Sequence, residues 1–354
     1  MNGFSNDPQG RNPAPDTMAV PDLKQAPFRA KITAIGTFVP PRVLTNADLE
    51  KLVDTNDEWI LARTGIRERH LVADGMATSD MAVEAARRCL ADRGLTPADI
   101  PLLLVATVTP DMLFPSTACL VQHKLGAPKC WGFDISAACS GFLYTLVTAS
   151  QFVASGAYER VLVIGADTMS SIIDYTDRAT CVLFGDGAGA VLIERAGPGD
   201  ASGVIDFLHQ VEGYGGDSLY MPAGGSRRPA SHETVDARMH YVHQEGQSVF
   251  KYAVRKLYEI CDELLRRNGV APGDIDCFIP HQANRRIIEA TAERLGMHPE
   301  NVVINIDRFG NTTAGTIPLA MFDARNAGRL KPGRLVLLAA VGAGYTCGAC
   351  LLRW

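Results

Sequence analysis

The sequence lacks any uninterrupted apolar run of the roughly 18 residues that a membrane-spanning helix requires, so we expect no membrane span. It also lacks an excess of basic residues, because 34 lysines and arginines stand against 39 aspartates and glutamates, a net charge of −5. A general nucleic-acid-binding protein would carry a basic balance or a long basic run. These absences argue against a membrane-spanning protein and against a nucleic-acid partner.

The nine cysteines form no regular framework, and their odd number favours a reduced intracellular compartment over a disulfide scaffold. Cys347 and Cys350 have C-x-x-C spacing, but no second pair and no nearby histidine completes a zinc site. Two Gly-rich stretches, residues 185–189 and 342–344, do not open a helical pattern after a strand, as a dinucleotide-binding loop does. We therefore predict neither a bound metal nor a dinucleotide cofactor.

The first residues are rich in proline, asparagine, aspartate and glycine and lack the apolar core of a secretory signal. We interpret residues 1–28 as a flexible N-terminal extension. With the cysteine usage, this composition leads us to expect a cytoplasmic location.

The rest of the chain contains a long internal repeat. Residues 90–110 recur as residues 265–284, with Gly94 matching Gly269 at an offset of 175 residues (269 − 94). A second repeat pairs residues 133–149 with residues 304–321, each predicted as a β-rich run, a small-residue turn and a helix. So long a period predicts a duplicated domain and not a stacked array.

The predicted halves are residues 29–202 and 203–354, and they meet at the linker-like segment GPGDAS, residues 197–202. Within each half, apolar β runs alternate with amphipathic helical runs, which indicates parallel sheet with helices packed on it. We therefore predict a layered α/β fold with the two most apolar helices at its centre.

Cys139 stands where the β-rich run of residues 131–136 gives way to a helical run. At a helix N-terminus, unpaired N–H groups and the helix dipole favour a thiolate, which would make this cysteine a nucleophile. The alternative is a buried cysteine that acts as a small apolar residue.

His281 follows the apolar strand of residues 276–279, at the sheet edge where open α/β folds assemble their sites. Asn311 precedes the helical run of residues 316–324 and is the repeat partner of Cys139. Each residue also has an ordinary structural explanation, a buried histidine and a turn asparagine. The internal symmetry favours the functional explanation, since related helix N-termini would bring Cys139 and Asn311 into one cavity.

Cysteine, histidine and asparagine together suit acyl transfer through a thioester. The thiolate takes the acyl group, and neutral His and Asn side chains donate hydrogen bonds to a second thioester oxygen. The turn at residues 342–344 offers a backbone N–H for a reacting carbonyl oxygen. A papain-like hydrolase uses the same three residue types, but the duplicated α/β organisation does not fit that fold.

Several segments in order closely resemble the β-ketoacyl-acyl carrier protein synthase III group of thiolase-fold condensing enzymes, from about residue 32 to 354. They include FPSTACLVQ, FDISAACSGF, FGDGAGAVLI, PHQANRRI, GNTTAG and GAGYTCGACLLRW. The resemblance implies a thiolase-like α/β fold of two duplicated halves in five α-β-α-β-α layers. It also implies an acyltransferase that starts fatty-acid synthesis without a cofactor.

The resemblance further implies the reaction and its catalytic residues. An acyl-CoA primer acylates Cys139, and His281 and Asn311 stabilise the carbanion that malonyl-acyl carrier protein forms when it loses carbon dioxide. The N–H groups of Cys139 and Ala343 form the oxyanion hole. The family usually has a third glycine where this chain has Ala343, which narrows the φ freedom of the turn.

Binding residues follow from the same resemblance. A tryptophan and an arginine of the family clamp the CoA adenine, and they correspond to Trp59 and Arg63 here. Arg178 is a further CoA contact, and Gln247 stands where relatives often have asparagine along the pantetheine arm. An acidic carrier protein needs a local basic patch on an acidic enzyme, and the candidates for it are Gln282, Arg285, Arg286, Lys251 and Arg294. The alternative for these charged residues is an ordinary solvated helix face. Phe114 crosses the interface of a homodimer and limits the acyl pocket of the partner subunit.

Two other functions stay open at this point. The same fold could serve another acyl transfer in secondary metabolism, or the chain could be a non-catalytic subunit that binds acyl-CoA or a carrier protein. The length and branching of the primer depend on the volume of the pocket around Cys139.

Overall fold

The structure is a computed structural model that describes residues 26–354. The predicted extension, residues 1–28, therefore lies almost wholly outside the described residues. Of its last three residues, Phe28 packs beneath the guanidinium of Arg195, whose central carbon is 3.8 Å from the ring centroid.

The described chain forms thirteen strands and eleven helices. The strands are β1 (Ala30–Phe38), β2 (Arg42–Thr45), β3 (Glu68–Leu71), β4 (Leu102–Ala106), β5 (Trp131–Ile135), β6 (Arg160–Asp167), β7 (Gly187–Arg195), β8 (Gly203–Val211), β9 (Leu219–Tyr220), β10 (His243–Gln244), β11 (Cys277–Pro280), β12 (Leu335–Gly342) and β13 (Thr346–Arg353). The helices are α1 (Asn46–Leu49), α2 (Asp57–Thr64), α3 (Thr78–Arg93), α4 (Thr117–Leu125), α5 (Gly141–Ala154), α6 (Arg178–Cys181), α7 (His232–Asp236), α8 (Gly246–Asn268), α9 (Arg285–Leu295), α10 (Ile306–Phe309) and α11 (Thr316–Asn326).

Two sheets form the frame. The first has the strand order β1-β7-β6-β4-β5, with β4 parallel to both β5 and β6 and with β7 antiparallel to its two neighbours. The second has the order β11-β12-β13-β8, with only β11 and β12 parallel. Strands β7 and β8 flank the predicted linker, and the boundary at residue 202 stays a prediction.

The apolar clusters show how the layers stack. One cluster joins α3 and α4 to the outer face of the first sheet, and another joins α8 and α9 to the outer face of the second sheet. A third cluster places α5 and α11 between the inner faces of both sheets. Because sheets cover it on both sides, α5 is apolar nearly all round. The predicted five α-β-α-β-α layers are confirmed.

The β-rich run predicted just before Asn311 is not a strand. Residues 306–309 form the short helix α10, and the preceding segment pairs with β11 through only one isolated bridge, between Phe278 and Val302. The Gln282 side-chain amide takes the place of a neighbouring strand. It donates to the Val303 carbonyl and accepts from the Asn305 N–H, the backbone groups that strand pairing would use. The repeat therefore breaks next to the site.

No helix within residues 26–354 is long and apolar enough to cross a membrane.

Candidate active site

A cavity of about 660 Å³ lies between the two halves. Cys139, His281 and Asn311 all line it, and they are only 6 %, 4 % and 5 % exposed. The three residues come from the start of α5, the end of β11 and the loop before α11, which all reach the same edge of the fold. The structure therefore brings the predicted trio into one buried space.

Cys139 lies in a tight turn, Ala138–Ser140, that continues directly into α5. Ala138 has a φ of 47°, in the left-handed region that residues with a Cβ rarely adopt. The small side chains in this stretch let the chain turn sharply from β5 into the buried helix. The sulfur accordingly lies at the N-terminal end of α5, as the sequence predicted.

The pKa of the Cys139 thiol is nevertheless raised and not lowered in the free protein. Burial, with a smaller contribution from the negative charge of Asp167, raises the pKa of Cys139 to about 12. Burial therefore opposes the thiolate that the N-terminal end of α5 favours. The proton must leave when a thioester occupies the cavity.

Two neighbouring elements fix the position of His281. Its backbone N–H donates to the Ala339 carbonyl of β12 at 2.8 Å, and its ring Nδ1 lies 2.6 Å from the Thr316 hydroxyl of α11. The other ring nitrogen, Nε2, is buried and has no hydrogen-bond partner within the described part of the chain. Burial lowers the pKa of His281 to about 3, so the ring is neutral near pH 7.

Asn311 is held by the segment that follows α6. Its backbone N–H donates to the Leu183 carbonyl at 2.9 Å, and its carbonyl accepts from the Gly185 N–H at 3.1 Å. The side-chain oxygen accepts from the Thr313 N–H at 2.9 Å. This bond leaves the amide NH₂ of Asn311 as the group available to a ligand in the cavity.

The turn at residues 342–344 lies against Cys139. A Cβ placed on Gly342 would stand 2.8 Å from the Cys139 nitrogen, so only glycine permits this approach. The Thr346 hydroxyl lies 2.9 Å from the Ala137 carbonyl and 3.3 Å from the Ala343 carbonyl, which ties the turn to the segment before Cys139. Ala343 itself lines the cavity.

The four predicted CoA contacts, Trp59, Arg63, Arg178 and Gln247, line the outer, exposed part of the same cavity. The guanidinium of Arg178 stacks over the Trp59 indole, 5.0 Å from the ring centroid, and donates to the Asp54 carbonyl at 2.8 Å. An aromatic ring and a guanidinium plane at a cavity mouth can hold a planar, electron-rich group such as a purine.

The basic residues predicted to receive a carrier protein fall in different places. Lys251 and Arg286 line the cavity, and Arg286 also borders an adjoining groove of about 560 Å³ between α2 and α9. Arg285 lines that groove and pairs with Glu289 at 2.7 Å. Arg294 lies outside both and packs over the Tyr258 ring, 3.9 Å from its centroid.

The prediction that Gln282 contacts a carrier protein is wrong. Gln282 is 1 % exposed, and its amide group donates to the Pro280 and Val303 carbonyls at 2.8 and 3.1 Å. Its side-chain oxygen accepts from the Asn305 N–H at 3.0 Å. A fully bonded, buried amide cannot reach a protein partner, and Gln282 instead holds the segment that leads to Asn311.

Phe114 lies away from the cavity of its own chain. It is 84 % exposed, its neighbour Leu113 is 82 % exposed, and together they form a protruding apolar segment. Apolar side chains this exposed are typical of surfaces that another protein covers.

The sequence did not reveal two residues of the site. Thr316 contacts the His281 ring across 35 residues of sequence, and Asn284 caps α9 while donating to the Arg63 carbonyl at 2.9 Å. Only the motif position of Asn284, just before a helical run, carried a local signal. Residues 26–354 contain no cluster of three or more His, Cys, Asp or Glu residues that could hold a metal ion.

Known proteins are similar to this chain in both sequence and architecture. Residues 265–354 match the sequence family described as 3-Oxoacyl-[acyl-carrier-protein (ACP)] synthase III C terminal, and residues 133–213 match the one described as 3-Oxoacyl-[acyl-carrier-protein (ACP)] synthase III. A β-ketoacyl-[acyl-carrier-protein] synthase III from Koribacter versatilis is 66 % identical over 326 residues, which cover 92 % of this chain and 98 % of that protein.

Solved structures of the same family have a similar fold. The 3-oxoacyl-[acyl-carrier-protein] synthase III from Aquifex aeolicus is 45 % identical, has a TM-score of 0.84 and covers 92 % of this chain and 100 % of its own. The priming β-ketosynthase from the R1128 polyketide biosynthetic pathway is 32 % identical, with a TM-score of 0.83 and coverages of 96 % and 99 %. With the five-layered fold and high identity over nearly its full described length, the chain belongs to the β-ketoacyl-acyl carrier protein synthase III family of thiolase-fold condensing enzymes.

Proposed function

We propose that the protein condenses an acyl-CoA primer with malonyl-acyl carrier protein and so starts fatty-acid synthesis. The observation that carries the proposal is the cavity with buried Cys139, His281 and Asn311 at its base and exposed Trp59 and Arg178 at its mouth. Family membership supports the same reaction. The steps need no redox cofactor and no metal ion.

In the first step the Cys139 sulfur attacks the thioester carbon of the primer. Negative charge develops on the carbonyl oxygen, where the N–H groups of Cys139 and Ala343 can donate hydrogen bonds. Collapse of the tetrahedral intermediate breaks the carbon–sulfur bond to CoA, and the cysteine proton is balanced by the one that CoA gains. The product is an acyl-cysteine and free CoA.

In the second step the malonyl thioester loses its carboxylate as carbon dioxide. The electron pair of the broken carbon–carbon bond moves toward the thioester oxygen, where the Asn311 NH₂ and the His281 Nε2–H can donate hydrogen bonds. The resulting carbanion attacks the acyl-cysteine carbonyl and forms the new carbon–carbon bond. The tetrahedral intermediate collapses to the β-ketoacyl thioester, and Cys139 leaves as a thiolate that takes up a proton from solvent.

We propose that the stacked pair of Trp59 and Arg178 holds the adenine end of CoA, with Arg63 and Gln247 along the same channel. Their exposure at the mouth supports this role, because the thioester must reach the buried sulfur while the nucleotide stays near solvent.

The carrier protein is acidic, and an acidic enzyme needs a local basic surface to receive it. We propose that Arg285, Arg286 and Lys251 form this surface. The groove between α2 and α9 supports it, since the positive charges of Arg67, Arg285 and Arg286 outnumber the negative charges of Glu289 and Asp307 in its lining. Arg294 stays a more distant candidate because it lies outside both cavities.

A homodimer in the cytoplasm completes the proposal. The exposed Leu113 and Phe114 side chains support a covered interface, and Phe114 of one subunit would then limit the acyl pocket of its partner.

The test follows the two steps separately. Incubation with acyl-CoA should add one acyl group to the wild-type protein by mass spectrometry, and Cys139→Ala should remove this adduct. Addition of malonyl-acyl carrier protein should then release carbon dioxide and a β-ketoacyl product. His281→Ala should keep the adduct but suppress decarboxylation. Condensation by His281→Ala at the wild-type rate would refute the mechanism.

The second candidate is a priming ketosynthase of secondary metabolism, which the 32 % identity to the R1128 enzyme favours. Competition between carrier proteins from fatty-acid and polyketide synthesis, read as relative kcat/KM, separates the two. A non-catalytic binding subunit would form no acyl adduct at all.

A further inference from the structure

The two ring nitrogens of His281 differ in their hydrogen bonding. Nδ1 lies 2.6 Å from the Thr316 hydroxyl, whereas Nε2 is buried without a partner among the described residues and belongs to a side chain that lines the cavity. A neutral imidazole carries one proton, so one nitrogen donates and the other accepts. The partner of Nδ1 therefore decides what Nε2 can do to a ligand.

The ring is neutral, so its tautomer matters. Burial alone accounts for the low pKa of His281, and no charged neighbour contributes. The titratable and charged side chains that line the same cavity are Cys139, Arg63, Arg178, Lys251, Arg286 and Tyr345. The N-terminus of α11, which begins at Thr316 beside Nδ1, further disfavours a positive charge on the ring.

The Thr316 hydroxyl has one proton and two possible acceptors. These are Nδ1 of His281 at 2.6 Å and the carbonyl oxygen of Thr313 at 3.1 Å. A 2.6 Å separation fits an O–H donor to Nδ1 better than an N–H donor, because N–H···O hydrogen bonds are usually about 2.9 Å long, and donation to Nδ1 leaves that nitrogen without a proton. The ring proton then resides on Nε2. The reverse arrangement, in which Nδ1–H donates to the Thr316 oxygen and the hydroxyl donates to the Thr313 carbonyl, gives the opposite tautomer, and a direct measurement of the ring protons separates the two.

We propose that Thr316 is a positioning residue that donates its hydroxyl proton to Nδ1 and so holds neutral His281 as the tautomer with its N–H on Nε2. This inference rests on the proposed function, in which Nε2–H donates to the malonyl thioester oxygen. The opposite tautomer would present a lone pair to the negative charge that develops on that oxygen, and would repel it.

The cysteine step does not depend on this tautomer, because its oxyanion is stabilised by backbone N–H groups. Loss of the Thr316 hydroxyl should therefore slow decarboxylation and leave acylation intact. Thr316→Val removes the hydroxyl that donates to Nδ1, so no donor holds Nδ1 as the unprotonated nitrogen and part of the ring population should shift to the unproductive tautomer.

The first experiment reads the tautomer directly. Protein labelled with nitrogen-15 at its histidines is examined by NMR at neutral pH, and the His281 signals are assigned by their loss in His281→Gln. The wild type and Thr316→Ser should show a protonated Nε2 and an unprotonated Nδ1, whereas Thr316→Val should show mixed or reversed protonation. A proton on Nδ1 in the wild type would overturn the proposal.

The second experiment measures both steps. Thr316→Val should lower the decarboxylation rate of malonyl-acyl carrier protein about 10- to 100-fold, somewhat less than deletion of a whole oxyanion donor. Acyl-cysteine formation should stay within about twofold of wild type, and Thr316→Ser should restore decarboxylation. Equal decarboxylation by Thr316→Val and wild type would overturn the proposal.

The matched control is Thr145→Val. Thr145 is also a fully buried helix threonine, and its hydroxyl donates to the Gly141 carbonyl at 2.8 Å without touching His281. It should lose similar stability but no step-specific activity, and an equal decarboxylation defect in this control would overturn the proposal. If the wild type forms no adduct or releases no carbon dioxide, the proposed function fails, while the NMR result still decides the Thr316 contact.

Discussion

Burial acts in opposite directions on the two titratable side chains of the site. It raises the pKa of Cys139 to about 12 and lowers that of His281 to about 3, so both groups are neutral near pH 7. A thiol and an imidazole in this state suit a site where negative charge develops on thioester oxygens and is stabilised by hydrogen-bond donors. They do not form the thiolate–imidazolium pair typical of cysteine hydrolases.

A single added carbon atom at Gly342 tests the proposed oxyanion hole. Gly342→Ala places a Cβ 2.8 Å from the Cys139 nitrogen and 3.0 Å from the Ser140 nitrogen, and should block or displace the N–H that receives the oxyanion. We expect acyl-cysteine formation to slow by about 100-fold or more, measured by time-resolved mass spectrometry.

The control for this change is Gly273→Ala, where a Cβ meets nothing within 4 Å. It should acylate like the wild type. Unchanged acylation by Gly342→Ala would mean that the oxyanion does not bind at the Cys139 N–H.

Among the elements, α9 links the catalytic loop to the outer surface. It begins directly after the His281 loop, buries Ile288 and Leu295 against the second sheet, and carries exposed arginines in its first turn. Asn284 caps it and also bonds the Arg63 carbonyl at the end of α2. A partner that docks on α9 would therefore contact an element joined rigidly to the site.

Arg286 is the best test of that docking surface. Arg286→Glu should raise the KM for malonyl-acyl carrier protein about tenfold or more and weaken its dependence on salt, because it reverses a charge on the surface proposed to receive the acidic carrier protein. Steady-state kinetics with malonyl-acyl carrier protein and with malonyl-CoA measure the effect, which should be smaller for malonyl-CoA.

Arg266→Glu supplies the same charge reversal on the exposed surface of α8, outside both cavities. It should leave the KM unchanged. Equal effects of the two reversals would show that only net charge matters, not docking at α9.

At the scale of the whole molecule, the exposed apolar side chains of Leu113 and Phe114 lead to a prediction about the proposed homodimer and its choice of primer. In the proposed homodimer, Phe114→Ala should preserve the dimer in sedimentation analysis but extend the range of primers toward longer or branched acyl groups, because the smaller side chain would enlarge the pocket proposed for the partner subunit. A panel of acyl-CoAs, each scored by the adduct on Cys139, measures this range. An unchanged range would separate Phe114 from the acyl pocket.

Stability should also depend on pH through a histidine outside the site. Burial lowers the pKa of His209 to about 4, while its ring stacks on Tyr144 with centroids 4.3 Å apart. Below pH 6.5 the imidazole of His209 binds a proton in the unfolded chain but stays neutral in the folded protein. The stabilising contribution of folded, neutral His209 is therefore full above pH 6.5 and is lost toward pH 4. Asp167, whose pKa burial raises to about 6, acts in the opposite sense.

The difference between His209→Phe and wild type isolates this contribution. The variant keeps a stacked ring but has no imidazole to protonate. The free energy of unfolding of the variant minus that of the wild type should increase by about 1 kcal/mol for each unit of pH lowered between pH 6 and 4.5. Urea unfolding at fixed protein concentration measures it. Parallel pH curves for the two proteins would contradict the assignment.

Much of the organisation followed from the sequence. The repeat, the alternation of β and helical runs and the small-residue turn at Cys139 predicted the layered fold and its central helices, because hydrophobic periodicity and turn chemistry are local properties. The cysteine, histidine and asparagine were found from their positions at element ends. The same local patterns misassigned residues 304–309, where a β-rich run forms no strand because the Gln282 side chain takes its hydrogen bonds.

By itself, the sequence determined the fold class, the family and the residues whose chemistry is intrinsic, the Cys139 thiol, the His281 imidazole and the Asn311 amide. Only the tertiary structure decided their state and surroundings. The neutral forms of Cys139 and His281, the contact between His281 and Thr316, the burial of Gln282 and the approach of Gly342 to Cys139 all depend on segments far apart in sequence. Burial and hydrogen bonding arise from such long-range packing, and no local pattern of residues encodes them.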